Sequence, residues 1–299
     1  MSSAKELDYP HILIQYQNGF LVSKVMFAAC ELGVFDLLQE SKENLSSKAI
    51  AERLGSSLHG MERLLDACVG LKLLEVEVNK EGAFYGNTEI SEQFLTKSSP
   101  KSQYHSCMYY SRTIYLCWQY LTEAVREGKN QYERAFGISS KAVFEALYRS
   151  EEEMVKFMYG LNATWSLCGR DVITAFDLSP FTVICDLGGD FFKDPLPEAE
   201  LYILARILHD WSDEKCVQLL TKVQKSCKTG GGVLLIETLL NEDKHGPLES
   251  QLYSLNMLIH TEGKERPPAE YSKLLTASGF KEIEVKKSGK LYDAILGRK

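Results

Sequence analysis

Thr182-Val-Ile-Cys-Asp-Leu-Gly-Gly189, then Asp190-Phe-Phe-Lys-Asp-Pro-Leu-Pro-Glu-Ala199, then Glu200-Leu-Tyr-Ile-Leu-Ala-Arg-Ile-Leu208 is the stretch on which the fold turns. The first segment reads as a buried strand running into a glycine turn, the opening of a nucleotide-type α/β unit. In such a unit the glycine loop opens a helix, and an acidic residue about 20 positions later takes the ribose hydroxyls. Here Pro195 and Pro197 follow, with no apolar 3.6-residue period, and exclude a helix. Ten residues, Asp190 to Ala199, separate Gly189 from the next strand, whereas a parallel crossover with its helix takes at least about 10–12. A helix and at least one strand are therefore expected to be missing, with the join at 189/190. Ten extended residues reach at most about 35 Å, enough to run back along one strand. Strands 182–187 and 200–208 are expected to pair in parallel, with no helix covering that part of the sheet.

Downstream the pattern alternates. The sequence predicts a helix over 213–227, a turn at Thr229-Gly-Gly-Gly232, a strand over 233–239, helices over 247–260 and 268–278, and closing strands at 282–286 and 292–296. Strands alternating with helices imply a mostly parallel sheet with an antiparallel edge. Upstream, residues 12–38 read as two helices apolar almost all round, which calls for burial, more often by a partner subunit than by their own domain. Helices at 46–55 and 58–71, the second with Met61, Leu64, Leu65, Cys68 and Leu71 on one face, precede a hairpin at 73–78 and 83–87. Together they make a winged helix. Its charge excludes a grip on DNA: residues 46–96 hold five Lys/Arg against eight Asp/Glu. Residues 101–176 read as helical, with Trp118, Tyr120, Phe144, Leu147, Met154, Phe157, Met158 and Trp165 taken as core. The reading divides the chain at 1–100, 101–178 and 179–299.

A net charge of −7 over 299 residues argues against nucleic acid or an anionic membrane as partner. The eight cysteines form no C-x-x-C pair and point to reduced thiols in the cytoplasm. No signal peptide or membrane span is expected.

Ligands of open α/β sheets bind at the carboxyl ends of the strands. His209-Asp210 ends one strand, Glu237 lies near the end of another, Asp186 ends the first, and Glu262 and Glu265 follow the 247–260 helix. A histidine beside carboxylates has its tautomer fixed for general-base work. The plainer alternative is that His209-Asp210 caps the next helix, with Asp213 as its N-cap.

The strings Cys185-Asp-Leu-Gly-Gly189, Gly189-Asp-Phe-Phe-Lys-Asp194, Leu201-Tyr-Ile-Leu-Ala-Arg-Ile-Leu-His-Asp-Trp211, Gly230-Gly-Gly-Val-Leu-Leu-Ile-Glu237 and Gly263-Lys-Glu-Arg266 resemble small-molecule O-methyltransferases. That family uses S-adenosylmethionine and dimerises through an N-terminal winged helix. The resemblance covers the whole chain. It implies a Rossmann-like α/β methyltransferase sheet, here truncated by a helix and strand, behind a helical winged-helix dimerisation domain. It implies His209 as general base flanked by Glu237 and Glu265. Tyr148, Trp165, Gly188, Gly189, Asp190, Phe191 and Arg206 would line the S-adenosylmethionine site; Asp210, Asn256 and His260 would meet an indole substrate. No metal is implied. The chain departs from the family in the absent segment after Gly189, about four to five dozen residues judged from the family layout, and at His260, where the family has glutamine. The absent segment would take the ribose carboxylate and most of the glycine cradle with it. Two readings stay open: an active methyltransferase, or a non-catalytic variant that dimerises, with itself or with a full-length chain, without binding cofactor.

Overall fold

The structure is a computed structural model that describes residues 11–137, 151–188 and 190–299. Tyr148 and Gly189, expected at the cofactor, and Phe144 and Leu147, expected in the core, lie outside the described residues. Two compact units divide the chain: Met1–Thr113 with Val155–Thr164, and Ile114–Met154 with Trp165–Lys299.

In the first unit α1 (His11–Leu32) is one long helix, and α2 (Val34–Ser41) starts after Gly33, whose φ of 83° makes the break. Only the last third of α1 is buried, through Phe27, Ala29 and Cys30. Ile12, Leu13, Tyr16, Phe20, Leu21 and Val22 stay exposed at 48–68%, which is the uncovered apolar surface anticipated for a subunit contact. A short strand, β1 (Leu45–Ser46), leads into α3 (Ser47–Arg53) and α4 (Leu58–Gly70), each capped by a serine hydroxyl, Ser46 and Ser57. The wing is β2 (Leu74–Asn79) and β3 (Gly82–Asn87), paired antiparallel with Asn79 opposite Gly82. Met61, Leu65 and Cys68 of α4 are buried in one cluster with Phe35, Ile50, Leu74 and Tyr85. The winged helix stands as read.

The middle of the chain is helical in short pieces: α5 (Glu89–Phe94), α6 (Tyr104–Tyr109), a π-turn at Tyr110–Ile114, α7 (Tyr115–Trp118), α8 (Leu121–Glu127), α9 (Tyr132–Phe136) and the long α10 (Glu151–Ile173). The second unit is built on β4 (Ile184–Asp186), β5 (Ala199–Ala205), α11 (Asp213–Ser226), β6 (Cys227–Glu237), α12 (Leu248–His260), α13 (Pro268–Ala277), β7 (Lys281–Lys286) and β8 (Asp293–Arg298). The sheet order is β4-β5-β6-β8-β7. β4, β5 and β6 run parallel, and β8 and β7 close the far side antiparallel. Leu204, Leu219, Leu220, Val233, Leu235 and Tyr271 fill one face; Val172, Phe176, Leu201, Leu234, Ile236 and Leu296 fill the other.

β4 is an outer strand of this sheet and lies beside β5, the neighbour that the ten-residue connection allows it to reach. Glu200 fastens its entry: Oε2 accepts from Thr182 N (2.6 Å), Thr182 Oγ1 (2.9 Å) and Val183 N (3.3 Å). Val183 and Ile184 remain 42% and 45% exposed. The expectation of a sheet left uncovered at this end holds only in part. No helix lies between β4 and β5, but Phe191, Phe192 and Leu196 of the connection fold back onto the Leu204 face. Lys222 of α11 holds that loop in place by donating to the carbonyls of Phe191 (2.8 Å), Phe192 (3.3 Å) and Asp194.

Two local expectations are corrected. Thr229–Gly232 is not a turn but part of β6. A Cβ at Gly231 would sit 2.2 Å from Glu200 O, and one at Gly232 2.6 Å from Gly297 O, so these glycines let neighbouring strands approach. The N-cap of α11 is Ser212, whose hydroxyl accepts from Lys215 N, and Asp213 is the first helical residue. Among the described residues no helix is long and apolar enough to cross a membrane, and all eight cysteines are free.

Candidate active site

β5 ends at Ala205, and Arg206 adopts a left-handed φ of 57°. Its N–H still reaches Ile236 O (2.8 Å), so the chain leaves the sheet sharply and forms a single 3-10 turn, Leu208–Asp210. That turn, not the strand end itself, carries His209 and Asp210. Its leading N–H groups are satisfied by a side chain: Glu237 Oε1 accepts from Ile207 N (3.2 Å) and Leu208 N (2.8 Å). Glu237 is the last residue of β6 and fully buried, so the neighbouring strand fixes the turn.

Glu265 arrives from the loop after α12. Gly263 permits its approach, since a Cβ there would lie 2.0 Å from His209 O. Glu265 Oε1 then stands 2.8 Å from His209 Nδ1, Glu237 Oε2 3.7 Å from the same nitrogen, and Asp210 Oδ1 3.8 Å from Nε2. An ionised carboxylate only accepts, so Nδ1 carries the proton and Nε2 is the lone-pair nitrogen of the neutral ring, on the side of Asp210. The facing atoms of His209, Glu237 and Glu265 lie within 4.8 Å of one another. Glu262, the other acid of this loop, leaves the cluster for Lys215 (2.7 Å).

Burial by itself would push the imidazole down, but Glu265, Asp210 and Glu237 outweigh it and hold His209 up at about 10. Burial pushes Glu237 up to about 7 and Asp210 up to about 6, each partly offset by the histidine. Glu237 Oε2 and Glu265 Oε2 are buried with no hydrogen-bond partner among the described residues. One imidazole among three carboxylates is a site built to hold a proton and to pass it on.

A second cluster forms at the end of α12. Trp118 Nε1 donates to Asn256 Oδ1 (2.9 Å). His260 Nδ1 donates to Asn256 O (2.9 Å), which makes Nε2 an acceptor, and burial pushes this ring down to about 4, so it is neutral at physiological pH. Tyr132 meets His260 edge-on at 5.9 Å. From the sequence Trp118 reads as core packing, and nothing in the local pattern marks Tyr132 as part of a site. Trp118 lies 138 positions from its partner, beyond the reach of any local pattern.

The residues assigned to the cofactor divide between the faces of the sheet. Trp165 packs with the Val172 cluster, and Gly169 one turn on leaves room for its ring, 2.5 Å from where a Cβ would be. Arg206 lies over Tyr292 of the same cluster, 5.5 Å from the ring centre. Phe191 lies on the opposite face and meets Trp211 edge-on at 6.3 Å. Asp190 is solvent-exposed and paired with Lys193 (3.0 Å). Gly188 leads out of β4 with open space where a side chain would be. At the carboxyl end of β4, Asp186 presents a carboxylate raised by partial desolvation and paired with no cation among the described residues. A cationic ammonium or sulfonium suits that carboxylate; among the described residues no strand beyond β4 brings an acid to ribose hydroxyls. The residues present fit the amino-acid end of S-adenosylmethionine and leave its adenosine end with fewer contacts.

Comparison with known proteins agrees with this geometry. The O-methyltransferase domain family matches residues 118–189 and 187–281, and the O-methyltransferase dimerisation domain family matches residues 14–97. The first match breaks where the strand-to-loop join was expected. The chain is 62% identical to the acetylserotonin O-methyltransferase of Gallus gallus, with both chains covered in full over 346 aligned positions. Since this chain has 299 residues, at least 47 of those 346 positions have no counterpart in it. The enzyme of the same name from Homo sapiens is 49% identical over 100% of both chains. The crystal structure of human N-acetylserotonin methyltransferase in complex with SAM superposes with a TM-score of 0.96, covering 100% of this chain and 99% of that one. On fold, domain composition and relatives alike, the chain belongs to the acetylserotonin O-methyltransferases, in a form shortened between β4 and β5.

Proposed function

We propose that this chain transfers the methyl group of S-adenosylmethionine to the hydroxyl of N-acetylserotonin, giving melatonin, with His209 as general base. The observation that carries the reading is the 2.8 Å contact between His209 Nδ1 and Glu265, which reserves Nε2 for the substrate proton. When bound, S-adenosylmethionine supplies a sulfonium-activated methyl. Trp165, Gly188, Asp190, Phe191 and Arg206 would hold it, with Tyr148 and Gly189 by the family resemblance and Asp186 toward its cationic end. Asp210, Asn256 and His260 would hold the indole. Attack by the hydroxyl oxygen on that methyl would form the O–CH3 bond as the methyl–sulfur bond breaks, leaving the neutral thioether S-adenosylhomocysteine, while the hydroxyl proton moves to His209 Nε2.

An aryl hydroxyl titrates near 10 against about 6.5 for a free histidine, which alone would make the proton transfer uphill by about 5 kcal/mol. The carboxylates around His209 close that gap by raising the ring to about 10. The cost moves elsewhere: the resting ring is protonated at neutral pH and must lose that proton before it can act. Turnover is therefore expected to rise as pH increases above 7. Removing one of the carboxylates that favour the imidazolium lowers the pH at which the ring becomes free. E265Q is expected to shift the ascending limb of the kcat–pH profile to lower pH and to lower its plateau, because the tautomer is no longer fixed. A limb that stays in place would exclude His209 as the titrating group.

The direct test is methyl transfer from labelled S-adenosylmethionine to N-acetylserotonin by the purified chain at saturating cofactor, with melatonin identified as product. Label in melatonin supports the reading; a folded chain giving none removes it. The dimerisation domain is taken to form homodimers, and the same surface suits pairing with a full-length subunit. The free thiols support a cytoplasmic location.

A further inference from the structure

Arg266 is the largest fully buried side chain among the described residues, 1% exposed. All five of its N–H groups are used. Nη1 donates to Leu208 O (2.9 Å) and Lys264 O (3.2 Å), Nη2 to Trp211 O (2.8 Å) and Asp213 Oδ1 (2.7 Å), and Nε to Asp213 Oδ1 (2.9 Å). Leu208 and Trp211 bracket the turn that bears His209. Lys264 is the neighbour of Glu265. The backbone of Arg266 also bridges to Leu239, and its carbonyl accepts from Leu240 N (3.2 Å), on the extension of the strand that ends in Glu237. The planar guanidinium thus ties the His209 turn to the Glu265 loop, while the backbone of the same residue meets the extension of the Glu237 strand; a lysine could not replace the fork, having three donors at a single point.

We propose that Arg266 is a positioning residue for methyl transfer, holding the His209 turn, the Glu237 strand and the Glu265 loop in the register that gives the 2.8 Å contact to Nδ1. Arg266 acts through other groups and touches neither substrate nor cofactor. The proposal rests on His209 being the general base. A displacement on the order of 1 Å at a reacting group costs about 10²-fold in rate, so the loss belongs in kcat rather than in binding.

The experiment uses R266K and D213N in the full chain. D213N removes the charge of the half-exposed partner while keeping a neutral side-chain oxygen, and leaves the buried guanidinium bonded to three carbonyls, so it is expected to fold even where R266K does not. For each folded variant, kcat, the KM for N-acetylserotonin and the 15N resonances of the His209 ring are measured. R266K is expected to lower kcat about 10²-fold with little change in KM and to move the Nδ1 resonance; D213N is expected to do the same to a smaller extent. Unchanged kcat with unmoved His209 resonances in either folded variant overturns the proposal. An inactive parent chain would sink the functional reading instead, and the ring resonances would still decide whether Arg266 sets the His209–Glu265 contact.

Discussion

Replacement of His209 by glutamine is expected to lower kcat by about 10²–10⁴-fold, the range of a lost general base. Glutamine preserves the approximate volume and can still donate to Glu265, so the buried carboxylate keeps a partner. What disappears is the acceptor nitrogen whose basicity the three carboxylates have raised. Because His209 is 13% exposed and its partner Glu265 is buried, an alanine there would take from the Glu265 carboxylate its imidazole donor and confound rate with stability. The discriminating measurement is single-turnover methyl transfer at saturating cofactor, compared with S-adenosylhomocysteine affinity. A large rate loss at constant affinity is the expected outcome; a loss within a few-fold would return His209 to a structural role.

The second large effect concerns the cofactor. S-Adenosylmethionine is expected to bind this chain about 10²–10⁴-fold more weakly than the human relative crystallised with it. The figure follows from two hydrogen bonds to a charged acceptor at about 1.5–3 kcal/mol each, which a ribose carboxylate would supply and which the shortened sheet has no strand to present. The deficit belongs in the KM for S-adenosylmethionine and not in kcat, because His209, Glu237 and Glu265 all lie downstream of the join and are assembled. Calorimetric titration of both proteins under one set of conditions checks it. Equal affinities would mean that the Asp190–Asp194 loop, pinned by Lys222, has taken over the ribose contacts.

The sequence discloses the site unevenly, and the division follows distance along the chain. The winged helix is legible because its apolar periodicity is local. The join at Gly189 is legible because two prolines and a ten-residue count leave no room for a helix. His209, Asp210 and Glu237 are legible from their places after strands. The glycine run at 230–232 misleads, since glycine marks both turns and close strand contacts, and only the neighbouring backbones of Glu200 and Gly297 distinguish them. Ser212 takes the cap expected of Asp213 because Asp213 is drawn to Arg266. The Trp118–Asn256 bond and the five-fold use of Arg266 are products of packing between segments remote in sequence, and no motif announces them.

The open side of β4 bears on more than cofactor contacts. Val183 and Ile184 lie close to water beside backbone groups that meet no further strand among the described residues, an arrangement natural sheets ordinarily screen. Such a strand is a template for association of partly opened molecules, and a kcal/mol or two of lost stability changes steady-state abundance several-fold through chaperones and proteases. How much product a cell obtains from this chain is then governed by how long each copy survives as well as by how fast it turns over.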